Sequence, residues 1–318
     1  MPPIVNCKTI RLAMLGMVDG NGHPYSWSAI FNGYDEKEMA SCPFAGIPEY
    51  LNKQPKDTLG IPGAKVTHVW TDDPADARHV AKCSLVPNVV DKAPDVIGQV
   101  DAVIVATDKG HEHVERCRPF VEAGLPVFVD KPMVDNEPDL LTFSRWVTDG
   151  KPILSSSCMR YTKEFLPYHN STHELGALRV VSITMAKTWE RYGIHALEGM
   201  YPILGPGFIS ARNIGTLDRN VVHLKHARGV DVVVTVNKDM YGGFGLLTLC
   251  GTAGSIQTAM KDTYYAFKAQ LVAFNRYLRT GERPFPFAET VELMKLVIAG
   301  TRSREEGGRE VKLDEIGG

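Results

Sequence analysis

Lys131 is the side chain of this chain best placed to do chemistry. It stands in Asp130-Lys131-Pro132, directly after the apolar run at residues 125–129. Residues 100–107 form a similar apolar run that also closes on polar residues. Between the two, Val114, Cys117 and Val121 recur at helical spacing. The pattern predicts a βαβ unit, with Pro119 expected to kink or shorten its helix. Fully buried parallel strands read as continuous apolar runs, and open α/β sheets bind ligands at the carboxyl ends of their strands. Asp130, Lys131 and Pro132 therefore stand where a lysine reaches a bound ligand.

Two further groups have the composition of a nucleotide site. Residues 16–23 follow the first apolar run and carry Gly16, Gly20 and Gly22. Their spacing departs from G-x-G-x-x-G, because Val18 and Asn21 hold the second and third glycine positions counted from Gly16. Backbone N–H groups at a helix start can still hold a diphosphate, although Asp19 brings negative charge. The same stretch also reads as an ordinary tight turn. Asp72, beside Thr71 at the end of the second apolar run, is the candidate for the acid that binds a ribose hydroxyl and favours NAD over NADP. Asp72 and Asp73 read equally as a turn and helix cap before Pro74.

These groups require a frame of alternating strands and helices. Strands are expected at residues 9–15, 65–71, 100–107, 125–129 and 152–157. A helix is expected from Pro24 to near Gly33, capped by Asn21 or His23, and others after Pro74 and between Asn136 and Gly150, the last burying Leu140, Phe143 and Val147. Residues 34–64, with prolines at 43, 48, 55 and 62, are expected to form an inserted flap. This alternation predicts a doubly wound parallel sheet over residues 1–157. Residues 158–318 read differently, with β-rich runs at 179–187, 211–215, 220–226, 230–236 and 245–250. They predict a mainly antiparallel open sheet, closed by a helix carrying Phe267, Leu271, Phe274 and Leu278 and another over 288–304.

The 318 residues carry 35 Lys and Arg against 37 Asp and Glu, a net charge of −2, which gives no footprint for nucleic acid or an anionic membrane. A small-molecule partner is expected. No apolar run has the length of a membrane span and residues 1–11 lack the apolar core of a signal peptide, so a soluble, cytoplasmic protein is expected. The six cysteines form no C-x-x-C pair and read as reduced thiols. The close pairs His111/His113 and His223/His226 lack the neighbouring ligands that a metal site needs, and no metal is expected.

Taken in order, the motifs resemble those of the glucose-fructose oxidoreductase and inositol dehydrogenase family (Gfo/Idh/MocA). The likeness covers nearly the whole chain. It rests on residues 101–107, His113, Glu122-Ala123-Gly124, Asp130-Lys131-Pro132 where the family has Glu-Lys-Pro, Arg160-Tyr161, Gly193-Ile194-His195, and the C-terminal run from Gly281 to Leu313. The resemblance implies a Rossmann domain that binds NAD or NADP through Gly16, Gly20, Gly22, Asp72, Thr107, His113, Asp130, Lys131 and Pro132. It implies an α/β substrate domain with Arg160, Tyr161, Arg191 and His195 at the substrate. Lys131 is expected beside the nicotinamide, with a Lys-Pro bond that is often cis in the family, and His195 matches the acid/base histidine of Asp-x-Gly-x-His. Arg191 stands where that motif has its aspartate, which exchanges a proton acceptor for a fixed cation.

Oxidising a secondary alcohol needs a base for the hydroxyl proton while hydride leaves. His195 has nearly the right intrinsic pKa, and Lys131 would share the work if burial or Arg191 lowered its own. Alternatively, Arg191 would clamp an anionic group, which points to an acid-sugar substrate. Trp189, Glu190 and Tyr192 are expected around Arg191, and Asp19 and His23 near cofactor or substrate. The reading is an NAD(P)-dependent dehydrogenase, NAD favoured, acting on a sugar, cyclitol or acidic derivative. The resemblance also implies a homo-oligomer, dimer or tetramer, formed through the open sheet. The rival is a protein of the same fold that binds a ligand or regulates without hydride transfer, which the broken glycine pattern, Asp19 and Arg191 favour.

Overall fold

Ile10, Leu12 and Met14 alternate with Ala13 and Leu15 along the first strand, and all five are buried, so this strand is covered on both faces. It is the centre of a six-stranded parallel sheet in a computed structural model that describes residues 2–317. Met1 and Gly318, the outermost residues of the two expected domains, lie outside the described residues. The first half runs β1 (Ile10–Leu15), α1 (His23–Asn32), α2 (Glu36–Met39), α3 (Gly46–Asn52), β2 (Ala64–Trp70), α4 (Pro74–Cys83), β3 (Asn88–Val89), β4 (Ala102–Val105), α5 (His113–Glu122), β5 (Val127–Val129), α6 (Glu137–Thr148) and β6 (Ile153–Ser155). The sheet order is β3-β2-β1-β4-β5-β6, every pair parallel, which is the doubly wound topology with its switch point between β1 and β4.

Two departures from the sequence reading have clear causes. Residues 34–64 are not a flap. Met39 and Leu51 are fully buried, Ile47 and Ile61 nearly so, and together they seal α2 and α3 onto the core that holds Trp27 and Phe31. Pro119 neither ends nor visibly shortens α5, which runs on to Glu122. The missing proline N–H removes one rung of a helix that tertiary packing of Val114, Cys117, Phe120 and Val121 already holds in place.

The second half runs β7 (Leu178–Ala186), α7 (Ile194–Leu204), β8 (Phe208–Asn213), β9 (Arg219–His226), β10 (Val230–Asn237), β11 (Leu246–Gly251), β12 (Ser255–Ala259), α8 (Thr263–Thr280), α9 (Phe287–Glu305) and β13 (Val311–Lys312). Its seven strands lie in the order β12-β11-β7-β10-β9-β8-β13, antiparallel except for β7 beside β10. Val181, Ile183 and Met185 on β7, with Val222 and Leu224 on β9, point into a core shared with α7 and α9, while the alternate residues face outward. Helix α8 crosses back to the first sheet. Its Leu271, Phe274 and Leu278 pack with Ile10, Leu12 and Trp27, and Ile4 and Val5 donate backbone bonds to Leu278. None of the described helices is long and apolar enough to cross a membrane.

Candidate active site

The carboxyl ends of β1, β4 and β5 meet the start of α7 in a cluster of buried charge. Lys131 is fully buried, and its Nζ lies 3.5 Å from Asp108 Oδ2 and 4.7 Å from the centre of the Tyr192 ring. Neither Nζ nor Oδ2 has a hydrogen-bond partner in the protein. Asp108 Oδ1 accepts from Arg191 Nη2 at 2.6 Å. Burial alone would raise the Asp108 carboxyl, but Lys131 and Arg191 outweigh it and bring it down to about 2.

Burial would likewise strip the Lys131 proton, and Asp130 and Asp108 more than reverse this, so the ammonium is held above its ordinary range. The expected lowering by burial or Arg191 therefore does not occur. Arg191 spends its charge on Asp108, and two carboxylates flank the lysine. The Lys131–Pro132 bond is cis.

Asp130 is buried and fully engaged. Its Oδ1 accepts from the Lys131 N–H at 2.7 Å, and its Oδ2 meets Asn21 Nδ2 at 3.0 Å and His23 Nδ1 at 2.6 Å. Asn21, which occupies a glycine position of the fingerprint, also accepts from the His23 N–H at 2.9 Å. The polar residues of the turn thus tie the start of α1 to the end of β5, and His23 stacks on Trp27.

His195 enters at the first turn of α7. Burial, then the charges of Lys131, His23 and Lys187, push its pKa well below the ordinary value. Its Nδ1 lies 2.6 Å from Ser157 Oγ, and Tyr192 and Phe244 pack edge-on against the ring. The single wide turn Trp189–Gly193 before α7 decides which of its side chains reach the site. Arg191 and Tyr192 reach the charged cluster, at Asp108 and Lys131 respectively. Trp189 and Glu190 do not, since Trp189 donates to the Val297 carbonyl at 2.9 Å and Glu190 pairs with Arg304. Gly193 is required where it stands, because a Cβ there would sit 2.6 Å from the Trp189 ring.

The other expected residues divide. Gly16 has φ +83° and abuts Thr107, so close that a Cβ would lie 2.7 Å from Thr107 Cγ2. Gly20 is exposed in the turn, whereas Gly22 is covered by Phe44 and Ile47 from the 34–64 segment. His113 is buried with its ring nitrogens 2.8 Å from the Thr107 carbonyl and 3.0 Å from that of Met133, pinning two loops rather than facing a ligand. Arg160 turns away from the cluster into a buried network with Glu198 and Glu289, stacked 4.0 Å over Phe285. Tyr161 is half-buried with its hydroxyl unpartnered, and burial pushes it up to about 12. Pro132 is buried behind Lys131.

The capping role that the sequence left open falls to Asp73. Asp73 caps α4 by accepting from the Ala75 N–H at 2.8 Å. Asp72 pairs with Arg116 at 2.9 and 3.2 Å and accepts from the Met17 N–H at 3.3 Å. Beside this pair lies a cavity of about 330 Å³, lined mainly by apolar groups of Leu15, Trp70, Pro94, Arg116, Pro119 and Phe120. A dinucleotide fits these residues. An apolar slot beside the Asp72 carboxylate, the close-packed Gly16 and a buried lysine without a hydrogen-bond partner follow one another along the carboxyl edge of the sheet. A larger cleft of about 1,170 Å³ opens between the α3 segment and the second domain and includes Tyr50, Lys187, Tyr192 and Tyr241. Tyr192 separates it from Lys131 and His195.

Asp108 is the site residue that the motifs missed. Its signal was positional, since it is the third residue past β4, at the switch point of the sheet.

Residues 47–142 match the model of the oxidoreductase family described as having an NAD-binding Rossmann fold. No curated protein matches the sequence. Solved structures match over almost the whole chain at low identity. Myo-inositol 2-dehydrogenase from Lactobacillus plantarum is 14% identical, covering 96% of this chain and 99% of its own, with a TM-score of 0.73. Apo scyllo-inositol dehydrogenase from Lactobacillus casei is 12% identical over the same shares, with a TM-score of 0.76. GenD2 from gentamicin A biosynthesis, solved in complex with NAD, is 15% identical over 96% of this chain and 97% of its own, with a TM-score of 0.74.

Proposed function

We propose that the chain is a member of the Gfo/Idh/MocA oxidoreductase family, whose NAD-binding model matches residues 47–142, and that it oxidises a secondary alcohol on a sugar or cyclitol ring with a nicotinamide dinucleotide. One arrangement carries this reading: Lys131 and His195 are both buried against Tyr192, each 4.7 Å from the centre of its ring, where the carboxylates beside the lysine favour its charged form and burial favours the neutral form of the histidine. That is the pairing which deprotonating an alcohol requires.

Gly16, Asp72, Arg116 and the loop after β4 would hold the dinucleotide, with its reactive end toward Lys131. When bound, it supplies the acceptor for hydride. Lys131 then donates a hydrogen bond to the alcohol oxygen and stabilises the negative charge that develops there. His195 takes the hydroxyl proton at Nε2 in the tautomer whose Nδ1–H donates to Ser157 Oγ. Asp108 and Asp130 keep Lys131 charged throughout. Tyr192 must swing aside for a substrate in the large cleft to reach this pair.

The carboxylate of Asp108 offsets Arg191, so the preference for an acid sugar expected from a free arginine loses its support, and a neutral ring is the better substrate. Cyclitols are the first compounds to test, given the inositol dehydrogenases among the structural neighbours. Asp72 favours NAD by repelling a 2′-phosphate. A dimer or tetramer built on the open face of the seven-stranded sheet fits the exposed Val180, Ile209 and Val221 there.

The test is titration with NADH and NADPH by nicotinamide fluorescence, followed by turnover with myo-inositol, scyllo-inositol, glucose and glucuronate. Dinucleotide binding with turnover that Lys131→Met and His195→Ala abolish is the expected result. Absence of any binding overturns the reading. Binding without turnover on any sugar would favour the non-catalytic rival, for which the covering of Gly22 speaks.

A further inference from the structure

The glycine turn has lost part of its backbone cradle, since Val18 and Asn21 hold glycine positions and Phe44 and Ile47 cover Gly22. Two cations from the other domain converge on what remains. Arg191 Nη2 donates to the Asp19 carbonyl at 3.1 Å, and Lys187 Nζ donates to the Gly20 carbonyl at 3.1 Å. These are consecutive carbonyls of an exposed turn, reached from residues more than 160 positions away in sequence. The Lys187 ammonium has only neutral oxygens as hydrogen-bond partners, and Arg191, although paired to Asp108 through Nη2, keeps its Nε without an acceptor, so a diphosphate laid along the turn offers both cations a charged one.

Two further features aim the cations. Lys187 has φ +67°, a left-handed conformation that a lysine rarely adopts and that concentrates at functional sites. Its ammonium is fixed by a 2.6 Å bond to the Tyr192 hydroxyl and lies 4.3 Å from the centre of that ring. Arg191 is braced by Asp108 through Nη2, while its Nε is buried without a partner.

We propose that Lys187 and Arg191 form a cross-domain clamp for the diphosphate of the dinucleotide, replacing the missing part of the glycine cradle. This rests on the dinucleotide reading above and adds to it the residues that bind the phosphates.

Calorimetric titration with ADP-ribose, which carries the diphosphate, and with adenosine, which lacks it, separates the possibilities. Lys187→Gly is the sharper variant, because glycine accepts the left-handed backbone while removing the ammonium. Arg191→Lys keeps a charge to balance Asp108. The expected result is a loss of about tenfold in ADP-ribose affinity for each single variant and about a hundredfold for the pair, with adenosine affinity unchanged and serving as the check on folding. Unchanged ADP-ribose affinity in both single variants overturns the clamp while leaving the dehydrogenase reading intact. If the unaltered protein binds neither ADP-ribose nor NADH, the dinucleotide reading falls and the clamp with it.

Discussion

Asp108 Oδ1 and Arg191 Nη2 lie 2.6 Å apart across the boundary between the two halves of the chain, and the other oxygen of the same carboxylate faces Lys131. One buried anion therefore balances two cations. Asp108→Asn leaves Lys131 and Arg191 near each other without it, and breaking a buried pair in this way costs about 3 kcal/mol. We expect lower stability by urea unfolding and, in protein that still folds, a fall in the Lys131 pKa visible as an earlier alkaline limb of kcat/KM. An unchanged alkaline limb would mean that Asp130 alone sets the charge of Lys131.

The same charges set the dependence on acid. The folded pKa of His195 lies well below its ordinary 6.5, so the unfolded chain takes up a proton first as pH falls. Stability therefore declines below about pH 6.5 and recovers as pH rises through that window. Asp108 adds a term of the carboxylate sign, about 2 kcal/mol present above its ordinary 3.8 and lost as pH falls through about 2. Activity should be level from near neutrality to about pH 10, because His195 is already neutral there and Lys131 still charged. A bell centred near pH 6.5 would contradict both assignments.

Arg160 makes a prediction of the opposite kind. Its guanidinium is buried among Glu198, Glu289 and Phe285, away from Lys131. Arg160→Ala strands the buried Glu198 and should cost about 3 to 5 kcal/mol by chemical denaturation. The KM of whatever folds should change less than twofold. A large rise in KM with stability intact would return Arg160 to the substrate.

The architecture was legible because buried parallel strands announce themselves. The runs ending at Leu15, Val105 and Val129 are nearly free of polar residues, and each lies in the sheet as expected. What was hidden depended on partners distant in sequence. Residues 34–64 looked like a flap because their prolines are visible locally, whereas the core that receives Met39 and Leu51 is assembled partly from α8. The edge strands β12 and β13 escaped notice because β13 is only two residues long and β12 carries no strong apolar alternation. At the site, Arg191 read as a free cation, since nothing in the sequence shows that residue 108 stands opposite. The charge of Lys131 was misjudged for the same reason.

Cofactor choice supplies the remaining test. Asp72 is held by both terminal nitrogens of Arg116, and that arginine also lines the apolar cavity next to Gly16 together with Lys92. As long as the carboxylate is present it occupies the guanidinium and repels a 2′-phosphate, so NADH should bind more tightly than NADPH. Asp72→Ser removes the repulsion and releases Arg116 to a ligand phosphate at once. The ratio of NADPH to NADH affinity should then rise by tenfold or more, since a charge-assisted contact of this kind is worth roughly 1.5 to 3 kcal/mol. Arg116→Ala in the Asp72→Ser background should take the gain away again. If the ratio does not move in Asp72→Ser, the ribose does not lie at the end of β2, and the cavity beside Arg116 is not the adenosine site.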